Sequence, residues 1–590
     1  MKYKSVNHWQ DIEAQNGLVF FSQILDESLF DYSLGSYKPL ALNSRLLCIE
    51  VLGTLSQIKS GLIKKPNLKS IIDELEFRLN GDVAAKTILG NQFPRFLEKI
   101  KSNPNDKELA TTIQLLYHNL DDKKYLQTIQ ELLINKIPAA REKESIYKLS
   151  RDFLTELINY GYSPGYIFLK VNQYFFDRRN RVTTDNPENF FQLFDFQKQK
   201  YKVVFKASKV FKEFESFANG LKITISDTHD NFPTAEERHF IDSKTTDEVF
   251  IVCNDVEALD DISARIRSEM PLISISNLFS FYHHKERPLI SESAIVIRES
   301  DNSYVTLEKP LKSIIKKGDI KPKIAASKVK KLYESLNLPN ETIYRIARGI
   351  DLHSIALETN EIENKLLSLW TATETLIPKV MDSDQDRIIQ IINGLSPFQS
   401  HKYFEEIFQQ IKSDIHYYNQ RLSRDIYRQI VLPQRDTLFN TIAAFIVTSE
   451  NDTARTSAYG HDTMKQFPLL KWRIFQLSKT FENGATALSH LNSHKQRVEW
   501  QIRRIYRVRN LIVHSGKKPS YTNILVENFH NYFDNFMNII IDTAISEKKI
   551  KTINQGIMDI EFKVKNHMET LEKYKNTQTT LSNYKEILQG

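Results

Sequence analysis

Cysteine is almost missing: Cys48 and Cys253 are the only two in 590 residues, and they lie far apart. Reduced, buried thiols are therefore expected rather than a disulfide framework. No run approaches the roughly eighteen apolar residues of a membrane span. The start of the chain, Met1-Lys2-Tyr3-Lys4-Ser5-Val6-Asn7-His8, has no apolar signal-peptide core. These absences predict a cytoplasmic protein with no membrane partner. There is no G-x-x-x-x-G-K-[ST] and no G-x-G-x-x-G after a strand, so nucleotide hydrolysis and hydride transfer have no support. Gly161-Tyr162-Ser163-Pro164-Gly165 matches G-x-S-x-G in letters, but it follows a helical segment and reads as a turn by composition, so serine hydrolysis has no support either. H-E-x-x-H and C-x-x-C spacings are missing too. The groups His229-Asp230 with His239, and His283-His284 with Glu286, read as surface histidines. No metal and no cofactor is expected. A net charge of +7 is mild for this length, so local charge clusters carry more meaning than the total.

What is present is a soluble globular composition, 41% hydrophobic and 26% charged, over a length that needs several domains. Residues 1–195 read as a helical region. Leu46 to Lys59, Leu68 to Arg78, Lys107 to His118, Lys123 to Leu133 and Glu142 to Tyr160 all space their apolar residues at the helical period. From 196 to 325 the pattern changes to short β-branched and aromatic runs at 202–206, 221–225, 248–252, 294–298 and 304–307, with helical segments between them. That order predicts a small α+β module, followed by a Lys-rich connector from Lys309 to Lys331. Residues 326–590 read as a helical domain with an insertion at about 396–481. The fold class expected is mainly α and multidomain.

The most informative stretch is Arg509-Asn510-Leu511-Ile512-Val513-His514. On a helical wheel the apolar stripe is Val498, Ile502, Ile505, Ile512 and Val513, and Arg509 falls inside it. Unpaired burial of a guanidinium costs several kcal/mol, so Arg509 must face a carboxylate, a phosphate or a wet cleft. Arg503, Arg507, Asn510 and His514 fall on the opposite side. His514 leaves the wheel if the helix stops at Val513, as the following Ser515-Gly516-Lys517-Lys518-Pro519 suggests. From Lys495 to Lys518 there are eight Lys or Arg against the single acid Glu499, with Trp500 and Tyr506 interleaved. Such a run suits a nucleic-acid backbone, with Arg503, Arg504, Arg507, Lys517 and Lys518 on phosphates and the aromatics on unpaired bases. A solvated helix face is the plain alternative.

The R-N-x-x-x-H pattern late in a helical region resembles the catalytic motif of the HEPN ribonuclease superfamily. About 130 residues upstream, the helix from Leu366 through Trp370 and Glu374 to Leu376 resembles the first core helix of its Apea-like branch. The resemblance covers roughly the last 260 residues and implies a HEPN-like helical bundle. It also implies metal-independent endoribonuclease activity in a homodimer whose two motifs face each other, and a place in bacterial anti-phage defence of the abortive-infection type, with a phage-derived trigger. RNA carries its own nucleophile, the 2′-hydroxyl. Cleavage then needs a base, an acid and a cation, roles that an imidazole and a guanidinium fill near neutrality. Arg509, Asn510 and His514 are the expected catalytic residues, with Glu374 holding Arg509. Two further readings stand beside this one. Arg509 pairs with Glu374 or Glu363 and His514 merely caps the helix, in a non-catalytic RNA-binding or assembly protein. Alternatively, the chain is an antitoxin-like partner of a nucleotidyltransferase.

Overall fold

In the computed structural model of the chain, residues 4–589 are described apart from 31–33, 35–36, 103–104, 181, 185, 230–234, 311–319, 336–337, 380–385, 419–427, 429, 432–435, 461 and 547–549. Asp230 and part of the Lys-rich connector thus lie outside the described residues. Among the described residues the chain is mainly helical, with one small antiparallel sheet. No described helix is long and apolar enough to cross a membrane.

Several helices begin where the sequence supplies a capping side chain. Asn43 accepts from the Leu46 amide at 3.0 Å and starts a helix at Ser44. Asn483 with Thr486, and Thr552 with Gln555, form capping boxes. The chain divides into two compact units. One unites residues 1–155, 178–187 and 312–590; the other holds 156–177 and 188–311. This differs from a division at 195 and 325, because composition records local periodicity and not which helices share a core.

In the larger unit the early helices are α1 (Asn16–Ser28), α2 (Ser44–Lys59) and α3 (Pro66–Gly81). The bundle helices are α4 (Asn340–Glu358), α5 (Ile362–Leu376), α6 (Arg387–Ser400), α7 (Gly484–Ser515), α8 (Thr522–Ser546) and α9 (Ile553–Lys573). A single apolar core runs through α4 to α9. Trp370 lies at its centre, its ring against those of Tyr506 and Phe529 at centroid distances of 5.6 and 5.7 Å. α4 and α5 approach closely because Gly349 has no side chain: a Cβ there would stand 2.9 Å from Leu376 Cδ1. The helix α6 runs on through Ser396, where the sequence suggested an insertion would begin. Of the inserted helices, Pro468–Thr480 packs on α1, with Trp472 edge-on to Phe20 at 5.5 Å.

In the smaller unit the strands are β1 (Gln199–Ser208), β2 (Ile223–Ser226), β3 (Glu248–Ala258), β4 (Ile290–Arg298) and β5 (Tyr304–Glu308), in the order β2-β3-β1-β4-β5. Every pairing is antiparallel. Period-two alternation puts Val203 and Phe205 on one face and Val204 on the other. The first face is covered by the helix Asp261–Tyr282 through Leu272 and Ile275. Residues 156–177 join this unit because Asp260, which caps that helix, also accepts from the Ser163 amide and hydroxyl at 2.8 and 3.0 Å.

Candidate active site at the end of α7

α7 runs for 32 residues and ends where Gly516 takes up a left-handed φ of 62°, its amide donating to the Ile512 carbonyl at 2.9 Å. The stop therefore falls after Ser515, not at Val513, and His514 remains on the helix. Over five residues a regular helix advances about 7.5 Å and turns to about 140°. One chain thus presents Arg509 and His514 on different faces.

Arg509 is half-buried, and its Nη1 donates to Asn510 Oδ1 at 3.0 Å. Asn510 is itself buried. Among the described residues, no carboxylate forms an ion pair with Arg509. Glu363 is taken by Lys518 at 2.7 Å. Glu374 sits beside Arg387, whose Nη2 donates to the Glu374 and Ile377 carbonyls at 2.9 and 2.7 Å. Arg387 thereby closes the open end of α5, and no described contact joins Glu374 to Arg509. An amide orients a guanidinium without neutralising it, so no described carboxylate offsets Arg509.

His514 is exposed, as are Ser515, Lys517 and Lys518. The other imidazoles of α7 are unsuited to proton transfer near neutrality. Burial pushes His490 down to about 4 and His494 to about 3, with the neighbouring Arg497 adding to both.

The basic run divides into an outside and an inside. Arg503 is half-buried, and burial lowers its pKa while Glu499 opposes that. Arg504 and Arg507 do not belong to an RNA-facing surface. Their side chains are 2% and 5% exposed, and both turn into carboxylates of the early helices. Arg504 meets Glu50 Oε2 at 2.8 Å and Glu74 Oε2 at 2.5 Å; Arg507 meets Glu50 Oε1 at 2.8 Å and Ser70 Oγ at 3.3 Å. Burial would raise the Glu50 carboxyl, but the two guanidiniums outweigh it and hold it at about 2. Trp500 is likewise unavailable to bases, being buried with its ring 5.5 Å from that of Phe77, and the partly buried Tyr506 packs on Trp370. These corrections share one cause. α2 and α3 cover a face of α7 that a wheel drawn for α7 alone assigns to solvent.

Sequence reasoning missed a second cluster, formed by His353 on α4 with His530 and Asp534 on α8. The His530-x-x-x-Asp534 spacing, which sets two side chains on one helix face, was the available signal; nothing near His353 pointed to it. The histidines considered earlier, His229, His239, His283 and His284, belong to no metal-type cluster among the described residues. Comparison with protein-family models, with curated proteins and with solved structures found no match to this chain.

Proposed function

We propose that this chain is a metal-independent endoribonuclease of HEPN type, acting as a homodimer in which the ends of two α7 helices form one composite cleft. The observation that carries the reading is the pairing at Arg509: a half-buried guanidinium oriented by the Asn510 amide, with no carboxylate partner among the described residues, a few residues before the exposed His514. Since one helix holds the two groups on different faces, a second copy supplies the complementary face and a second imidazole. One His takes the 2′-hydroxyl proton, and the 2′-oxygen attacks the adjacent phosphorus. Arg509 stabilises the charge that develops on the phosphoryl oxygens. The other His protonates the departing 5′-oxygen, leaving a 2′,3′-cyclic phosphate and a 5′-hydroxyl. Lys517, Lys518 and Arg503 remain as the cations for the RNA backbone. Glu374 acts through α5 and Arg387 and not by holding Arg509. Restraint of such a nuclease falls to the other regions of the chain, released by a phage-derived trigger in a cytoplasmic defence response.

The test is cleavage of a labelled RNA in the presence of EDTA by wild type, Arg509→Ala and His514→Ala. Loss of at least ~100-fold in rate in each variant, an amount expected for an acid–base or charge-stabilising group, is the expected result, with folding and RNA binding retained. Undiminished cleavage by His514→Ala rejects the site. RNA binding with no cleavage by wild type or variants moves the chain to the non-catalytic docking class.

A further inference from the structure

We infer that His353, His530 and Asp534 form a binding site for a divalent transition-metal ion of the zinc type. This stands apart from the nuclease reading and does not use α7.

Three electron-rich atoms converge here from two helices. The Nε2 atoms of His353 and His530 lie 2.9 Å apart. His353 Nε2 is also 3.3 Å from Asp534 Oδ1, and Asp534 Oδ2 is 3.5 Å from His530 Nδ1. One donor atom from each residue can be chosen so that all lie within 4.8 Å of one another. With metal–nitrogen and metal–oxygen bonds of about 2.0–2.2 Å, two ligands of one ion are separated by about 2.9 Å at a right angle and about 3.4 Å at the tetrahedral angle. The two distances at His353 Nε2 match that range. A single proton on this nitrogen points at His530 or at Asp534 and serves one edge of the triangle well. One ion taking His353 Nε2, His530 Nε2 and an Asp534 carboxylate oxygen would join all three residues, with His530 Nδ1 left to face the other Asp534 oxygen.

The surroundings fit an ion as well. His530 is buried, whereas the His353 and Asp534 side chains are 20% and 34% exposed, which leaves one side of the site open to solvent for access and for a water ligand. Phe533 stacks on the His353 ring at 5.3 Å with an interplanar angle of 11°, and the two imidazoles stand nearly parallel at 4.9 Å. Their orientation is thus set by packing before any ion arrives. Two imidazoles with a single carboxylate favour zinc, cobalt or nickel over calcium and magnesium, which take all-oxygen sets. Because the ligands come from α4 and α8, binding would tie together two walls of the bundle core and stabilise the folded state by mass action.

The experiment is a calorimetric titration of the EDTA-stripped, dialysed full-length protein with Zn2+ alone, and a parallel Co2+ titration read by visible d–d absorption. Wild type is compared with His353→Gln and Asp534→Asn, both at partly exposed positions. Expected are one saturable equivalent of Zn2+ in wild type, an intense tetrahedral-type Co2+ spectrum, and at least tenfold weaker binding in each variant. Zinc should raise the unfolding midpoint of wild type and not of the variants. Absence of a saturable equivalent in wild type overturns the assignment whatever the variants do, and so does unchanged affinity in both folded variants. Should a variant fail to fold, an octahedral, water-like Co2+ spectrum in wild type still refutes it.

Discussion

Replacing Glu50 by Gln removes one charge from a network that joins α2 and α3 to α7, and its cost follows from the geometry. The carboxylate accepts from Arg504 Nε and Nη2 and from Arg507 Nη2, the last two at 2.8 Å. Burial pushes the group up, yet the guanidiniums bring it from its ordinary 4.5 to about 2. At ~1.4 kcal/mol for each pH unit that difference is worth about 3–4 kcal/mol, and breaking a buried pair from one side typically costs about 3–5 kcal/mol. Glu74 still holds Arg504 at 2.5 Å in the variant, so the lower end, about 3 kcal/mol, is expected. The folded carboxyl titrates below the unfolded one. The stabilisation is therefore complete above pH 4.5 and is lost as pH falls from there towards about 2. Tryptophan fluorescence during urea unfolding suits the measurement: Trp9, Trp370, Trp472 and Trp500 are all the tryptophans of the chain, and all belong to the unit carrying the network. The variant should unfold at lower urea at pH 7 and should lose less stability than wild type between pH 4.5 and pH 3. A loss of under ~1 kcal/mol at pH 7, or an unchanged acid limb, would mean that the network contributes no more than a surface pair.

Gly484→Ala should destabilise the same unit by about 1–3 kcal/mol through overpacking, because a Cβ there would stand 2.1 Å from the Leu571 carbonyl oxygen; an unchanged urea midpoint would show that α9 yields freely. Burial pushes both Cys48 and Cys253 up to about 12, so neither should react with a thiol-specific disulfide reagent at pH 8 until its own unit opens. Rapid labelling of the native protein contradicts that. In RNA binding, Lys517→Gln should reduce the slope of log affinity against log salt by about 0.7, and Lys518→Gln by less, because Lys518 already pairs with Glu363. A charge-conserving Arg507→Lys should leave the slope unchanged, since Arg507 is buried against Glu50; a reduced slope there would place it on the RNA.

Local pattern was enough for the secondary structure that carries the site. The five β-branched runs between 202 and 307 all emerged as strands β1 to β5, since alternation at period two is a property of neighbouring residues. The helix bearing Arg509, Asn510 and His514 was equally legible, and so was the role of Gly516, although the wheel stopped α7 two residues early. A left-handed cap is set by where glycine stands, and Ser515 tolerates the helix up to it.

What the chain's own order of residues determined, then, is the set of elements and the chemistry available at each position: helices, a small sheet, an arginine and a histidine near one helix end. The tertiary structure alone decided which cations meet solvent. Arg504 and Arg507 look like Arg503 in the sequence, and they differ because α2 and α3, more than 400 residues earlier in the chain, bring Glu50 and Glu74 against them. It also decided that His353 meets His530 and Asp534. Contacts of this kind depend on how helices far apart in sequence share a core, which no periodicity within a single helix records.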